Sequence, residues 1–159
     1  MTDILMPKNT RERHALRLWL GRRSWTQMLT LMPNQPDASH GRLKRLLIDW
    51  DARMNRSILG PKWQTRTEKR LRWIAFPEKI DTNPHWHLLL NLTKRHRGWF
   101  ERDVTQLEDL VQRHWKALVS SGTTDTQEIY DDGAVRYCTK LASVPRDFTN
   151  FELSEGLCL

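Results

Sequence analysis

The sequence predicts an α+β domain in which a twisted antiparallel sheet of about five strands is covered by helices. Short apolar runs bounded by turn residues alternate with segments whose apolar residues recur every three or four positions, in the order β-α-β-β-α-β-α. The 159 residues match the usual size of one domain, and no repeat or linker-like stretch divides them. We therefore expect one domain over residues 23–159, preceded by a basic helical extension over residues 1–22.

The first half of the chain predicts a helix, a strand and a second helix. Residues 10–20 place apolar side chains among three arginines, which indicates a short amphipathic helix. Residues 25–31 have strand composition and stop at turn residues beginning with Pro33. A longer helix should start at Asp37 or Ser39 and end at Gly60, because its apolar face recurs at Leu43, Leu46, Leu47, Trp50, Met54 and Ile58.

The second half predicts a hairpin, then a helix, an edge strand and a short helix. Residues 71–76 and 86–92 are two strand-like runs, joined by a moderately long loop over residues 77–84. Asp103 and Gln106 resemble a capping box for a helix that Gly122 ends. Residues 126–130 predict an edge strand, residues 134–142 a helix before Pro145, and residues 148–153 a last strand or a tail.

Charge is distributed unevenly along the chain. Residues 1–99 hold 20 Lys and Arg against 8 Asp and Glu, whereas residues 100–159 hold 6 against 11, which gives the net charge of +7. This asymmetry favours a surface that binds a polyanion such as nucleic acid, with a merely solubilising basic surface as the alternative. Two cysteines, no signal peptide and no run near the roughly 20 apolar residues of a membrane span lead us to expect a soluble cytoplasmic protein.

Two histidines one residue apart open the most apolar run. In a strand, residues i and i+2 point to the same face, so His85 and His87 should present two imidazoles together while Trp86 points away. Some fifty residues later, Tyr137 and Lys140 are three apart in a predicted helix, which places a phenol and an ammonium on one surface. The first pattern suits a metal ion and the second suits a nucleophile acting on a phosphate.

With these residues the sequence resembles the HUH endonucleases, named for His-hydrophobic-His, and especially the single-tyrosine initiators of rolling-circle replication. Their second motif is matched by Pro-His-Trp-His-Leu-Leu-Leu at residues 84–90, and their third, Tyr-x-x-Lys, by residues 137–140. Their first motif is matched loosely by residues 28–31. The resemblance covers residues 25–142 and implies a nickase and strand transferase that joins its tyrosine to a 5′ phosphate of single-stranded DNA in a plasmid, phage or virus.

The resemblance also implies roles for particular residues. Tyr137 would be the nucleophile, and Lys140 would neutralise charge or lower the phenol pKa. His85 and His87 would bind a divalent ion, with Glu78 as third ligand because it follows the preceding strand where related initiators carry a glutamate. Asp81 and His114 are weaker candidates for that ligand. Mixed nitrogen and oxygen ligands favour Mg²⁺ or Mn²⁺, although two imidazoles would also accept zinc or nickel.

Several other residues complete the expected site. Tyr130 is the rival nucleophile, but neighbouring Asp131 and Asp132 should raise its pKa and repel a phosphate. Trp99, Trp63 or Trp25 could stack on bases, while Trp50 and Trp115 fit apolar helix faces. The residues expected to contact the DNA backbone are Arg22, Arg23, Arg42, Lys44, Arg45, Lys94, Arg95 and Arg97.

Two other functions remain open from the sequence. The single-strand transposases of the same superfamily are also small, but they typically carry a polar ligand such as Gln where this chain has Lys140. The chain could also be a nucleic-acid-binding protein without catalysis. It contains no Walker A motif, so an initiator of this kind would depend on a host or partner helicase, as a monomer or a dimer.

Overall fold

The computed structural model describes residues 8–102, 105–141 and 151–154, which form an α+β fold as the sequence predicts. Within these ranges five strands form one antiparallel sheet in the order β4-β1-β3-β2-β5. The elements are α1 (Lys8–Gly21), β1 (Gln27–Met32), α2 (His40–Leu59), two 3-10 turns (Trp63–Thr65 and Thr67–Lys69), β2 (Arg72–Glu78), β3 (His85–Asn91), α3 (Lys94–Arg102), α4 (Leu107–Leu118), β4 (Thr123–Glu128), α5 (Gly133–Leu141) and β5 (Glu152–Leu153).

The two faces of the sheet carry separate cores. Helices α2 and α4 cover one face, where the largest buried side chains include Trp50, Trp86 and Trp115, all with no exposed surface. The indole nitrogen of Trp86 donates to the carbonyl of Leu43 on α2 at 2.9 Å. Helices α1 and α5 cover the other face over Ile74, Phe76 and Leu89. Because strand residues alternate between faces, His85 and His87 lie on the α5 face, opposite Trp86.

Helix α2 begins and ends where its sequence indicates. The hydroxyl of Ser39 accepts a hydrogen bond from the backbone N–H of Arg42 at 3.2 Å, as an N-cap should. Gly60 ends the helix with φ of 82°, a conformation that a side chain would disfavour. This long helix covers the sheet face that carries Trp86.

Helix α1 is part of the packed fold. Leu20 is fully buried and Leu16 nearly so, in a cluster that also contains Trp25 and, from α5, Val135 and Cys138. The helix predicted at residues 10–20 is therefore confirmed, and it packs beside α5 on the sheet face that carries the histidines. No helix among the described residues is long and apolar enough to cross a membrane.

Several sequence predictions need correction. The hairpin loop is shorter than residues 77–84, because β2 continues through Pro77 to Glu78 and β3 begins at His85. Helix α3 was not predicted, and β4 begins three residues earlier than expected. Helix α4 ends at Leu118, before Gly122. The predicted capping residue Asp103, Val104, Ala142, Pro145 and residues 148–150 lie outside the described residues; β5 supplies a last strand over Glu152–Leu153.

Candidate metal centre beside Tyr137

Glu78, His85 and His87 meet where β2 ends and β3 begins. The hairpin register pairs Glu78 with His85 directly, and paired residues in an antiparallel sheet point to the same face. His87 follows two residues later on that face. The sequence predicted these three residues as ligands, and the structure brings them together as a group that could hold a metal ion.

The ligand atoms are spaced as the neighbouring corners of a coordination shell. Glu78 Oε2 lies 2.9 Å from His85 Nε2 and 2.7 Å from His87 Nε2, and the two nitrogens are 3.3 Å apart. A metal–ligand bond of about 2.1 Å separates adjacent ligands by about 3.0 Å in an octahedral shell. The three side chains therefore fit one face of such a shell, and the other positions would be left for water or substrate.

The remaining ring nitrogens hold both imidazoles in place. His85 Nδ1 lies 2.7 Å from the carbonyl oxygen of Asn83, which can only accept, so Nδ1 carries the proton. His87 Nδ1 lies 3.1 Å from the hydroxyl of Thr30, its partner across the sheet. Such outer partners orient metal-binding histidines. Sequence reasoning did not assign Thr30 or Asn83 a role, although Thr30 lies in the loosely matched first motif.

The electrostatics favour the protonation states that a cation needs. Burial lowers the pKa of His87 below its ordinary value of 6.5, and this outweighs the opposing effect of Glu78. Burial by itself would raise the pKa of Glu78, but the neighbouring His87, Tyr137 and His85 side chains together hold it below 4.5. At neutral pH the centre therefore presents a neutral His87 and a charged carboxylate.

Tyr137 stands next to this centre. Its hydroxyl donates to Glu78 Oε1 at 3.0 Å, and its ring meets the ring of His87 edge-on with 5.3 Å between centroids. The side chain remains 40% exposed, so a substrate can reach it. Burial and the Glu78 carboxylate raise the pKa of the phenol above 10. The Tyr137 phenol is thus accessible beside the ligand group, and the carboxylate favours its protonated form.

The other residues of the predicted catalytic helix differ in setting. Lys140 lies in the same helix as Tyr137, one turn later, as predicted, and it is exposed. Between them Cys138 is fully buried, and burial raises the pKa of its thiol to about 12, so this cysteine belongs to the core.

Tyr130 lies apart from the centre. It is 88% exposed, and its hydroxyl donates to Glu128. That hydrogen bond and the charge of Glu128 raise the pKa of Tyr130. The expected direction of this shift is correct, but its cause is Glu128 on β4 and not the neighbouring aspartates.

The two weaker metal candidates do not join the centre. Asp81 is exposed in the loop between β2 and β3 and is not part of the ligand group. His114 lies on α4, on the opposite face of the sheet, where its Nε2 is 2.7 Å from the hydroxyl of Ser57. Its helical position led to the expectation that it could pack on the sheet near the histidines, but α4 covers the other face.

The residues predicted to contact DNA are not gathered around Tyr137. Arg22 and Arg23 precede β1, whose start pairs with the end of β3, so they lie at the end of the sheet remote from Tyr137. The guanidinium carbon of Arg23 also lies over the Trp19 ring, 3.7 Å from its centroid. The basic residues of α3 follow the end of β3 and lie at that end too: Lys94, Arg95 and Arg97.

The basic residues of α2 lie on the other face of the sheet. Arg42 donates to Gln35 at 2.9 Å, Lys44 forms an ion pair with Glu152 at 3.0 Å, and Arg45 is exposed. Among the tryptophans, Trp25 is only 8% exposed and donates to the carbonyl of Leu20, so it cannot serve as a stacking surface. The prediction that Trp50 and Trp115 belong to the core is confirmed.

A cavity of about 340 Å³ adjoins Tyr137 between α5 and the edge strand β4. Its lining combines apolar, amide and acidic side chains: Met28, Gln127, Glu128, Ile129, Tyr130, Asp131, Ala134 and Tyr137, with Gly133. The carboxylates make it unsuited to a phosphate, whereas its size and amide suit a base. The β4 side of the sheet face is open, because Thr123, Asp125 and Gln127 are exposed there.

No protein-family model matches this chain, and neither a curated protein nor a solved structure is significantly similar to it.

Proposed function

We propose that the protein is a metal-dependent single-stranded DNA endonuclease and strand transferase of the HUH type, with Tyr137 as its nucleophile. The observation that carries the proposal is the position of the Glu78 carboxylate. One of its oxygens lies within hydrogen-bonding distance of both histidines, and the other accepts from the Tyr137 hydroxyl. The residues that would hold a divalent ion therefore lie next to the Tyr137 hydroxyl, and such an ion would act as a Lewis acid on a phosphate attacked by that hydroxyl.

The proposed reaction is a transesterification. The Tyr137 oxygen attacks the phosphorus of a phosphodiester, the bond from phosphorus to the 3′ oxygen breaks, and the 5′ phosphate stays on the tyrosine. The phenol proton leaves along the hydrogen bond to Glu78 Oε1 and passes to water, and the departing 3′ oxygen takes a proton from water. Attack by a 3′ hydroxyl reverses the sequence and reseals the strand.

Activation of the phenol is the main chemical demand. A tyrosine whose pKa lies above 10 is a poor nucleophile at neutral pH. Without a bound cation, the negative charge of Glu78 raises that pKa further. Glu78, His85 and His87 would hold a divalent cation, whose positive charge would polarise the scissile phosphate and lower the phenol pKa. The mixed donors favour Mn²⁺ or Mg²⁺ as that cation. Lys140, exposed one turn beyond Tyr137, adds positive charge near the phosphate.

The substrate is proposed from access to the site and from charge. The open β4 side of the sheet face leaves Tyr137 accessible, and the adjoining cavity has room for one base next to the scissile phosphate. A single strand can place a base there without the cost of breaking a duplex. The net charge of +7 supports binding to a polyanion. We expect stronger binding to single strands than to duplexes, with affinity falling as salt rises.

A role in initiating rolling-circle replication, and not in transposition, is proposed from the ligand set. The third candidate ligand is Glu78 on β2, and the residue three positions after the tyrosine is the exposed Lys140. The transposase branch typically takes a ligand from that helical position. The resemblance therefore favours the initiator type, with unwinding supplied by a separate helicase.

Covalent capture tests this function. The protein is incubated with a pool of random single-stranded oligonucleotides and Mn²⁺, denatured, and measured by intact-mass spectrometry. We expect a mass increase equal to a DNA fragment, lost in excess EDTA and in the His85→Ala/His87→Ala variant, and kept in His14→Ala, which removes an exposed imidazole on α1. DNA binding without any adduct would support the non-catalytic alternative. An adduct undiminished by EDTA would contradict the metal role.

A further inference from the structure

A second cavity lies on the sheet face opposite the metal centre. It has a volume of about 640 Å³ and is formed where α2 and α4 meet the first 3-10 turn. Its lining residues are Ala52, Arg53, Arg56, Ser57, Trp63, Gln64 and His114. The volume lies in the range of about 300–1,000 Å³ that small-molecule sites occupy. The proposed cleavage at Tyr137 uses none of these residues, because α2 and α4 cover the other core.

The polar lining of this cavity is basic. Arg53 and Arg56 are three residues apart on α2, so their guanidinium groups lie on neighbouring positions of one helix face, and both are exposed. Among the described residues, no acidic side chain lines the cavity. Burial, followed by the charges of Arg113 and Arg53, lowers the pKa of His114 below 6.5. The cavity therefore offers two permanent cations beside a neutral imidazole and the Ser57 hydroxyl, which are 2.7 Å apart.

Trp63 gives the cavity an aromatic wall. The indole is partly exposed, and the guanidinium carbon of Arg70 lies 4.7 Å from a ring centroid. Arg70 is itself buried and donates to the carbonyl of Gln64 at 2.8 Å, so it stabilises the turn that contains Trp63. Arg70 does not line this cavity. An indole held in this way can stack on a flat ring at little cost in side-chain entropy.

We propose that this cavity binds a nucleotide, with Arg53 and Arg56 on its phosphate and Trp63 stacked on its base. Guanidinium groups match phosphate oxygens in charge and geometry, and Ser57 and Gln64 supply a hydroxyl and an amide for the sugar or the base edge. A free nucleotide and a nucleotide within a strand present the same chemistry. The inference does not rest on the proposed nuclease function, because the cavity and the metal centre lie on opposite faces.

Calorimetric titration of the full chain in EDTA tests this site. The ligands are deoxyadenosine 5′-monophosphate, inorganic phosphate and a short single-stranded oligonucleotide. We expect the nucleotide to bind more tightly than phosphate, and the Arg53→Gln/Arg56→Gln variant to bind both at least about tenfold more weakly. Trp63→Leu should weaken nucleotide binding and leave phosphate binding unchanged. Arg102→Gln, an exposed arginine outside the cavity, should behave like the wild-type protein.

Comparing the mononucleotide with the oligonucleotide distinguishes a site for a free nucleotide from a contact to a strand. Arginine-dependent binding of the mononucleotide identifies a free-nucleotide site, and arginine-dependent binding of the oligonucleotide alone identifies a contact to a strand. Unchanged affinities in the double arginine variant, equal binding of phosphate and nucleotide, or no binding of any ligand would overturn the proposal. Thermal denaturation midpoints show that the variants are folded. Adduct formation at Tyr137 should persist in the double arginine variant, so the two proposals fail independently.

Discussion

Replacing Glu78 with Gln should remove most of the stability that the protein gains from a divalent cation. The carboxylate is the only anionic member of the ligand group, and one of its oxygens faces both imidazole nitrogens at 2.7 and 2.9 Å. Gln keeps the size of the side chain but loses its charge. Loss of an outer partner of a metal ligand already weakens binding by about 10–100-fold. We therefore take a loss of about 100-fold in affinity as the minimum for a direct ligand.

The size of the effect follows from mass action. At a free ion concentration of about 100 times the dissociation constant, the wild-type protein gains about 2.7 kcal/mol in free energy of unfolding. A variant that binds about 100-fold more weakly gains only about 0.4 kcal/mol at the same concentration. For a chain of this length, these gains correspond to rises of about 8 °C and about 1 °C in the denaturation midpoint.

Differential scanning fluorimetry in EDTA and in graded Mn²⁺ measures both midpoints. Each variant serves as its own metal-free reference, so any direct effect of the substitution on folding is subtracted. His14→Ala is the matched control for adventitious binding to a surface imidazole and should keep the full rise. A full rise in Glu78→Gln, or no rise in the wild-type protein with Mn²⁺, Mg²⁺, Zn²⁺ or Ni²⁺, would refute the assignment of this centre.

Three further predictions concern acid stability, packing and catalysis. Because the folded pKa of His87 is depressed, its contribution to the free energy of unfolding in EDTA is complete above pH 6.5 and is lost as pH falls below that value. Urea titrations at pH 7.5 and 5.5 should show a smaller loss in His87→Gln; an equal loss would contradict this. Gly122→Ala should lower the free energy of unfolding by about 1–3 kcal/mol, since its Cβ would lie 2.7 Å from the buried Trp115 ring. Gly98→Ala, with nothing within 4 Å, is the control and should not destabilise the protein. Lys140→Ala should slow adduct formation in a time course without abolishing it, and an unchanged rate would remove Lys140 from the mechanism.

Elements with a clear apolar period could be predicted from the sequence. Helix α2 presents a regular apolar face between Ser39 and Gly60, and both ends were found where expected. Helix α3 could not be predicted in this way, because its one buried residue is His96, which is held by the carbonyl of Lys69 at 2.8 Å. Its inward face consists of His96, Trp99 and Phe100, and so short an apolar face in a basic segment that contains a glycine resembles a charged loop in sequence.

Part of the candidate site followed from local geometry. The spacing of His85 and His87 placed both rings on one face, since strand alternation depends on the backbone alone. The pairing of Glu78 with His85 depends on the hairpin register. That register was hidden because Pro77 suggested that the strand ends at Phe76, whereas β2 continues one pair beyond the proline.

The positions of the basic residues could not be predicted without the order and direction of the strands. Charge runs mark an affinity for anions but do not show which end of the sheet they occupy. Arg23 and the basic residues of α3 lie at the end remote from Tyr137 because β1 begins, and β3 ends, at that edge. Likewise, no sequence motif links Arg53 with Trp63. They line the same cavity only because the turn that follows α2 packs beside that helix.

Peptide mapping of a trapped DNA adduct tests the central claim most directly. After incubation with single-stranded DNA and Mn²⁺, the protein is digested with nuclease and protease, and the peptide that carries a nucleotide is sequenced by tandem mass spectrometry. We predict a 5′-phosphotyrosyl nucleotide on Tyr137, no adduct in Tyr137→Phe despite normal DNA binding, and a full adduct in Tyr130→Phe, whose hydroxyl pairs with Glu128 away from the metal centre. A nucleotide on Tyr130 or on a serine, or an undiminished adduct in Tyr137→Phe, would contradict the account.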